Sequence, residues 1–231
     1  CKNFMIMNKF HPLTITSINR LTADAVAISF NVSNNTLFQF EAGQYITIKK
    51  DINGEEVRRA YSICSMNSEG VTIGVKKVET GRMSTFLTQS VKEGDVLNVM
   101  PPSGNFVIKG DNKHIVGICA GSGVTPIIAM IKTELAKPSD AKFTLIYGNK
   151  TKDSSMFAEE LHQLQINNSD RLKIHNAYSR EGVAGAINGR LDKNTIQQLL
   201  NTFMSLKTAD AYFICGPGEL IDNTNELLLL N

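Results

Sequence analysis

The most constraining stretch of the sequence is a glycine-containing turn at residues 119–126, which reads Cys-Ala-Gly-Ser-Gly-Val-Thr-Pro. The apolar run before it is typical of a buried strand, and the run after it predicts a helix that begins at Pro126, a residue that suits a first helical turn. A strand, a glycine turn and a helix in this order present backbone N–H groups and the positive end of a helix to an anion. The pattern favours a dinucleotide phosphate, although many glycine turns only join a strand to a helix.

The second half of the chain repeats this order of strand and helix. Helical patterns begin at Pro126, around Met156, after Asp192 and at Glu219, and strands are expected at residues 114–119, 143–147, 172–178 and 211–215. Such alternation predicts a parallel sheet with ligands at the carboxyl ends of its strands. The candidate binding residues after these strands are Gly121, Ser122, Gly123, Val124, Thr125, Pro126, Gly148, Asn149, Ser179, Arg180, Cys215, Gly216 and Pro217.

Two arginines of this half are candidates for recognising a phosphate group. Ser179 and Arg180 follow the third strand and could bind a phosphate monoester together, the serine through a hydrogen bond and the arginine through its charged fork. A turn with a solvated arginine is the alternative explanation. Arg190, which follows Gly189, allows the same two explanations.

The first half has a period of two residues from residue 13 to residue 107. Val26, Ile28 and Phe30 alternate with smaller or polar residues, and Asn53 with Gly54 marks a hairpin turn because both central positions of that turn favour a positive φ. Many short strands separated by turn residues predict an antiparallel β-barrel of about a hundred residues. Since the alternation stops at a polar linker, residues 109–113, we predict a barrel domain at residues 1–109 and an α/β domain at residues 110–231.

One predicted barrel strand carries residues that suit a cofactor. In an extended segment Arg59 and Tyr61 share one face, while Ala60 and Ser62 share the other. The arginine can bind a phosphate, the tyrosine ring offers a stacking surface, and the serine hydroxyl can donate to a ring nitrogen. A half-buried strand whose arginine reaches into solvent is the alternative.

A second candidate phosphate site lies further along the barrel half. Gly81 allows a close backbone approach, and Ser84 is predicted as the N-cap of a short helix whose N-terminus would attract an anion. An ordinary turn and cap would have the same residues. Lys76 and Lys77 lie on the strand that leads into this turn.

Charge and cysteine spacing exclude several classes of function. The 24 basic and 22 acidic residues are scattered, so no basic block predicts binding to nucleic acid. Cys1, Cys64, Cys119 and Cys215 match no zinc or iron–sulfur spacing, and we expect reduced thiols and no metal in this chain. The apolar run at residues 4–7 is too short for a signal peptide or a membrane span, which predicts a cytoplasmic protein without membrane contact.

The ordered set of motifs resembles the ferredoxin–NADP reductase superfamily over nearly the whole chain. The motifs are Arg-x-Tyr-Ser, Gly-x-x-Ser, Gly-x-Gly-x-Thr-Pro, Ser-Arg and Cys-Gly-Pro, in that order. The resemblance is closest to the reductase component of multicomponent oxygenases, in particular the phenylacetyl-CoA epoxidase type. It implies that the barrel binds FAD and the α/β domain binds NADPH, with NADH possible. Electrons would then pass to an iron–sulfur centre that serves an oxygenase in aromatic, phenylacetate catabolism.

The resemblance also implies roles for single residues of the barrel. Arg59 would contact the flavin phosphate, Tyr61 would lie against the isoalloxazine, and Ser62 would hydrogen-bond near N5. The further flavin-binding residues are Ala60, Val75, Lys76, Lys77 and Val78 beside the flavin, and Gly81, Arg82, Met83 and Ser84 at its pyrophosphate. Two separate phosphate-binding candidates favour FAD over FMN.

In the second half, the resemblance implies a nicotinamide site. The turn at residues 121–126 would hold the nucleotide with Thr125 close to the ring, and Cys215 would lie beside the nicotinamide. Ser179, Arg180 and Glu181 resemble the family's 2′-phosphate site, which favours NADPH. Hydride would pass from nicotinamide C4 to flavin N5 across the interface of the two domains, with Ser62, Tyr61 and Cys215 as the catalytic residues.

The end of the chain departs from the family pattern. The family sheet gains another strand after the helix that follows Cys-Gly-Pro, whereas this sequence stops after four leucines at Asn231. A run of four leucines at the end would leave apolar surface uncovered. We therefore expect a fragment that lacks a C-terminal strand and a plant-type [2Fe–2S] domain, into which oxygenase reductases of this type often continue.

Three other functions are weighed against this one. A free-standing flavin or ferric reductase predicts a complete sheet. A flavin-holding electron-transfer subunit that does not use NAD(P)H predicts that neither nucleotide reduces the flavin. A purely structural β module leaves the ordered set of motifs unexplained.

Overall fold

A computed structural model describes residues 9–33, 35–203 and 206–229. The apolar run at residues 4–7 and Cys1 lie outside the described residues, as do Leu230, the last of the four leucines, and Asn231. The chain divides into two compact units, Cys1–Val107 and Ile108–Asn231. Each unit has its own sheet.

The first unit contains a six-stranded antiparallel sheet and one α-helix. Its strands are paired in the order β4-β3-β6-β1-β2-β5. The elements are β1 (His11–Thr22), β2 (Ala25–Phe30), β3 (Tyr45–Ile52), β4 (Glu55–Ser62), β5 (Thr72–Lys76), α1 (Arg82–Gln89) and β6 (Val96–Ser103).

Period-two alternation places one side of these strands in the core. Val26, Ile28, Ile46, Ile48 and Ile73 are 1% exposed or less. Full burial of such a side chain stabilises the fold by about 1.5–3 kcal/mol. The antiparallel sheet confirms the predicted fold class of this half.

The hairpin between β3 and β4 has the predicted turn. Asn53 and Gly54 have φ values of 57° and 79°, and Ile52 pairs with Glu55 on either side of them. Asp51 also accepts a hydrogen bond from the backbone of Gly54 at 3.0 Å. These contacts set the register of β4, and so the side on which Arg59 emerges.

The two edge strands of this sheet, β4 and β5, are brought together at one point. An antiparallel bridge joins Ile63, just after β4, to Ile73 in β5, and the backbone N–H of Cys64 donates to Thr72 O at 2.8 Å. Helix α1 packs against β3, β4 and β5 with Met83 and Leu87 buried beneath it. The rest of the seam between β4 and β5 has no ladder of backbone hydrogen bonds among the described residues.

The second unit contains a five-stranded parallel sheet with helices, as the alternation predicts. The strands are paired in the order β10-β9-β8-β7-β11. The elements are β7 (His114–Ala120), α2 (Val124–Ala136), β8 (Lys142–Asn149), α3 (Ala158–Asn167), β9 (Leu172–Tyr178), β10 (Ile187–Asn188), α4 (Lys193–Thr202), β11 (Ala211–Cys215) and α5 (Gly218–Leu229).

The start of α2 corrects the sequence-based prediction. Gly121–Gly123 forms a 3₁₀ turn that continues directly into the helix, so the helix begins at Val124 rather than at Pro126. Pro126 is the third helical residue, where an N–H has no intrahelical partner and its absence costs little. The two-residue strand β10 was not predicted, because so short a segment has no periodicity to detect.

The strand order of the second unit changes direction beside β7. Strands β8 and β9 follow β7 on one side, whereas β11 pairs with β7 on the other side. In open parallel sheets, ligands bind at the carboxyl ends of the strands at such a switch point. The turn at residues 121–123 follows β7 directly and therefore lies at this position.

The described residues contain neither a helix that could span a membrane nor a cluster of potential metal ligands. In residues 9–33, 35–203 and 206–229, no helix is long and apolar enough to cross a bilayer. Within the same ranges, the His, Cys, Asp and Glu side chains form no group of three or more that could hold a metal ion.

Arg171 joins the end of α2 to the sheet and provides a test of stability. Its guanidinium donates to the carbonyl oxygens of Glu134, Leu135, Lys137 and Ala141 at 2.8–3.3 Å. We expect Arg171→Ala to lower the free energy of unfolding by about 2 kcal/mol, because these carbonyls lose a charged donor. Urea unfolding measures the change, and Lys142→Ala, at an exposed cation nearby, is the control. Equal unfolding midpoints for the two variants would contradict this role.

Candidate functional site

The predicted phosphate ligand and aromatic residue of the barrel lie along an edge strand. In β4, Arg59 and Tyr61 pair with Ile48 and Ile46 of β3, so all four side chains share one face of the sheet. The isoleucines are buried, whereas Arg59 is exposed and Tyr61 is half-buried. Because β4 is an edge strand, Arg59 and Tyr61 border the open seam toward β5.

The electrostatics of this pair suit a bound cofactor. Burial raises the pKa of Tyr61 to about 12, against the opposing effect of the Arg59 charge. The phenol therefore stays neutral at physiological pH and offers an uncharged ring. The Arg59 guanidinium donates to the carbonyl of Arg58 at 2.7 Å, and no carboxylate among the described residues forms an ion pair with it.

Ser62 lies on the opposite face of β4 from Tyr61. It pairs with Tyr45 of β3, whose ring is 37% exposed and packs against Gly104. Ala60 is on the same face as Ser62 and is exposed. The strand therefore presents Tyr61 and Ser62 to opposite faces of the sheet, as the alternation predicts.

The lysines beside the predicted flavin site are held by a residue that sequence reasoning missed. Asp24 accepts a hydrogen bond from Lys76 Nζ at 2.9 Å, and its carbonyl accepts from the backbone N–H of Lys77 at 2.7 Å. Burial opposes ionisation of Asp24, but hydrogen bonds from Lys76 and Thr22 and the charge of Lys76 outweigh it and lower its pKa. The sequence offered only an aspartate in a turn as a signal.

The start of α1 corrects a second prediction. The N-cap is Gly81, and Ser84 is the third helical residue rather than the cap. The Ser84 hydroxyl accepts from the backbone N–H of Val78 and donates to Gly81 O, both at 3.1 Å, so it braces the preceding turn. No side chain caps the helix, which leaves its first N–H groups for another acceptor.

The other predicted residues between Val75 and Met83 differ in how far their side chains are exposed. Val75 and Met83 have buried side chains, so only their backbone could meet a ligand, whereas Val78 is 60% exposed. Thr80 has a φ of 61°, which is costly for a β-branched residue and bends the chain into α1. The Arg82 guanidinium donates to the Glu55 carboxylate and to Ile52 O.

In the second unit, two positions of the turn at residues 121–123 favour glycine for different reasons, one for its backbone angle and one for lack of space. Gly121 has a φ of 54°, and a Cβ added there would meet nothing within 4 Å, so the space beside it is open. At Gly123, an added Cβ would lie 2.1 Å from the carbonyl oxygen of Cys215. Only glycine allows this approach, which brings the turn against the end of β11.

Of the remaining residues of the turn, Ser122 is exposed, whereas the three that follow Gly123 contribute backbone rather than side chains. Val124 and Pro126 are buried, and the Thr125 hydroxyl donates to Ser122 O at 2.9 Å. Helix α2 has no side-chain cap at Gly123. The positive end of this helix and its first N–H groups are therefore the features that could attract a phosphate.

Asn149 and Tyr147 lie at the end of the neighbouring strand β8. The Asn149 Nδ2 atom is buried, and no acceptor in the described structure has the geometry to bond it, so a ligand could use this donor. Tyr147 was missed by sequence reasoning. Its hydroxyl shares its one proton between Gly121 O at 3.2 Å and Met156 O at 3.3 Å, and burial raises its pKa. A polar aromatic residue inside a buried strand was the available signal.

Cys215 is partly exposed at the end of β11 and pairs with Cys119 of β7. Both are free thiols, as is Cys64. Burial raises the pKa of Cys215 and of Cys119, so both stay protonated. Cys215 is therefore suited to shaping a site by contact, and not to acting as a thiolate nucleophile.

The ends of β8 and β9 bring the predicted phosphate ligands beside Asn149. The backbone N–H groups of Ser179 and Arg180 donate to Asn149 O at 3.0 Å and Lys150 O at 2.9 Å. Glu181 accepts from the backbone N–H of Lys152, which joins the two loops further. Arg180 and Arg190 are exposed, and Ser179 is half-buried.

The last predicted residues form close backbone contacts. A Cβ added to Gly148 would lie 3.0 Å from Leu191 Cδ1, and one added to Gly216 would lie 3.0 Å from Leu220 Cδ2. Pro217 follows Gly216, and its carbonyl accepts from the backbone N–H of Leu220 at the start of α5. These residues pack the loops at the end of the sheet.

Comparison with known families now assigns both units. Residues 12–108 match the oxidoreductase FAD-binding domain, and residues 118–226 match the oxidoreductase NAD-binding domain. The chain belongs to the ferredoxin reductase-like oxidoreductases. Its first unit is accordingly the FAD domain and its second the NAD domain, as the resemblance implied.

Two curated relatives have similar sequences. The chain is 35% identical over 229 residues to one of the subunits of the 1,2-phenylacetyl-CoA epoxidase of Escherichia coli, covering 96% of this chain and 64% of the relative. It is 31% identical over 222 residues to the ferredoxin reductase component of 3-ketosteroid-9-alpha-monooxygenase of Rhodococcus rhodochrous, covering 94% and 60%. The chain thus spans less than two thirds of the length of these relatives.

A solved structure has the same fold. The ferredoxin NADP+ reductase of Neisseria gonorrhoeae, with bound FAD and NADP, aligns with a TM-score of 0.77 and 22% identity, over 96% of this chain and 91% of that one. The residues of this chain fit both cofactors. The uncapped start of α1 and Arg59 could hold the phosphates of FAD, and the open space at Gly121 with the Asn149 donor could hold a pyridine nucleotide.

Tyr147 supports the glycine turn, which provides a test of this site. We expect Tyr147→Phe to raise the dissociation constant for NADPH about fivefold, because a hydrogen bond of about 1 kcal/mol to the turn is lost. Equilibrium dialysis against NADPH measures binding. Tyr212→Phe removes a hydroxyl that donates to Leu206 O and is the matched control. Equal affinity in both variants would refute the supporting role of Tyr147.

Proposed function

We propose that the chain is the FAD- and NADPH-binding part of a reductase that delivers electrons to an iron–sulfur centre serving an oxygenase, in aromatic, phenylacetate catabolism. The proposal depends on the opening at Gly121, where an uncapped helix start lies at the switch point of the parallel sheet beside the buried Asn149 Nδ2 atom, which has no well-aligned acceptor among the described residues. The similarity to two proteins of multicomponent oxygenases supports the oxygenase partner.

In the FAD domain, the chain's own residues bind and orient the flavin. Arg59 and the N–H groups at the start of α1 hold its phosphates, and Tyr61 provides a neutral ring against the isoalloxazine. The Ser62 hydroxyl directs a hydrogen bond toward N5. When bound, FAD accepts a hydride at N5 and releases electrons singly.

In the NAD domain, the residues position the nicotinamide and select the nucleotide. The turn at residues 121–126 binds the phosphates and the ring, and Cys215 shapes the nicotinamide site as a protonated thiol. Ser179 and Arg180 bind the 2′-phosphate of NADPH, with Arg190 as a further cation. NADH lacks this phosphate and binds less tightly.

The proposed function also includes a domain boundary, an electron acceptor and a cellular location. We place the functional boundary of the two domains after residue 109, at the start of the polar linker. The electron acceptor is an iron–sulfur centre outside these residues, and neither nucleic acid nor a membrane is a partner. The three free thiols among the described residues support a cytoplasmic location.

Preference for NADPH is tested by anaerobic titration of the FAD-loaded protein. We expect the flavin absorbance to bleach at much lower NADPH than NADH concentrations. Arg180→Ala should raise the NADPH requirement about tenfold and leave that for NADH unchanged, because a charge-assisted hydrogen bond to phosphate is lost. Lys173→Ala, at an exposed cation on strand β9, which precedes Arg180, is the control. A flavin that neither nucleotide bleaches would instead indicate a subunit that only holds flavin.

Ser62 is tested by separating flavin binding from flavin reduction. We expect Ser62→Ala to slow reduction by NADPH about fivefold to tenfold, the effect of one hydrogen bond, and to change the FAD dissociation constant by less than about twofold. Stopped-flow absorbance measures the first quantity and fluorescence titration the second. Ser33→Ala, in an exposed turn, is the control. Equal losses of reduction rate and of affinity would contradict this division of roles.

A further inference from the structure

Arg82 joins the β3–β4 hairpin to the start of helix α1. Its guanidinium donates to the Glu55 carboxylate at the first residue of β4 and to the carbonyl of Ile52 at the last residue of β3. Arg82 is itself the first residue of α1. We call the contact of Arg82 with Glu55 and Ile52 the clasp.

A second contact also joins α1 to strand β3. The Lys50 ammonium of β3 lies over the Phe86 ring of α1, 5.4 Å from its centroid. Since Phe86 is one helical turn beyond Arg82, the two contacts hold the first turns of α1 against the hairpin. The orientation of the helix relative to β4 is fixed by these contacts and by the burial of Met83 and Leu87.

The clasp links β4, which carries Arg59, to the start of α1. Arg59 and the first N–H groups of α1 are the two groups that the proposed function assigns to the flavin phosphates. Glu55 and Arg59 are four residues apart on the same face of β4, about 13 Å along the strand. At the other end of the clasp, α1 begins with backbone N–H groups that no side chain caps. The clasp therefore sets the position of these N–H groups relative to the Arg59 guanidinium.

We propose that Arg82 is a positioning residue for FAD and that its side chain acts through Glu55 and Ile52, not by contact with the flavin pyrophosphate. The guanidinium is already bonded to a carboxylate and a carbonyl, whereas its backbone N–H lies at the uncapped start of α1. The inference rests on the proposed function, because it requires FAD at this site. The family resemblance places Arg82 at the pyrophosphate, and the inference assigns its side chain to the clasp and leaves its backbone N–H for the phosphate.

The two possible roles of Arg82 predict opposite effects of Glu55. If the clasp positions the helix, Glu55→Gln weakens FAD binding. If Arg82 binds the pyrophosphate directly, Glu55 competes for its guanidinium, and Glu55→Gln strengthens FAD binding. The Glu55 side chain is 72% exposed, so the effect of this ion pair is limited by solvent screening.

The experiment measures the dissociation constant of FAD for the full chain, by quenching of flavin fluorescence on titration into the apoprotein. We expect Glu55→Gln and Arg82→Gln each to raise it about threefold to fivefold, the upper range for an exposed ion pair. The double variant should bind no more weakly than Arg82→Gln, because the two residues act through the same contact.

Glu226→Gln is the matched control, because it removes an exposed ion pair with Lys193 in the NAD domain and should leave the FAD constant unchanged. Tighter binding by Glu55→Gln, or a double variant that binds more weakly than Arg82→Gln, would overturn the inference while the proposed function stands. Failure of the wild-type protein to bind FAD would overturn both. Thermal unfolding followed by circular dichroism verifies that each variant is folded at the titration temperature.

Discussion

The backbone contact between Gly123 and the carbonyl oxygen of Cys215 is the constraint on which the nucleotide site depends. A side chain at residue 123 would lie 2.1 Å from that oxygen, so the turn can pack there only as glycine. The contact exists because β11 pairs with β7, with Cys119 opposite Cys215. The end of β7 therefore sets the start of α2, the opening at Gly121 and the place of Cys215 together.

The FAD domain depends on a different constraint, the seam between its two edge strands. A closed ladder of hydrogen bonds would leave no opening along β4, whereas β4 and β5 are linked by the Ile63–Ile73 bridge at one end. Arg59 and Tyr61 emerge along the unpaired part, and α1 packs beside it. An edge strand, usually a liability, thus becomes a place where a ligand can lie against side chains of the inner face.

Two cations that the motifs single out are paired with acidic residues that the motifs do not contain. Lys76 is bonded to Asp24, and Arg82 to Glu55, whereas Arg59 and Arg180 form no ion pair with the described residues. A sequence motif identifies which side chains carry charge, but the partner of each charge depends on strand pairing. The distinction separates cations that bind a ligand from cations that position the backbone around it.

The sequence by itself determined the two domains, the antiparallel and parallel sheets, the Asn53–Gly54 hairpin and the glycine turn, because periodicity and turn chemistry are local properties. It placed the start of α2 two residues late and named Ser84 as a cap, since helix starts depend on how the preceding turn packs. Only the tertiary structure decided the strand order, and with it the roles of Tyr147, Asp24 and Glu55. Those roles come from contacts between residues far apart in the chain, which no local pattern encodes.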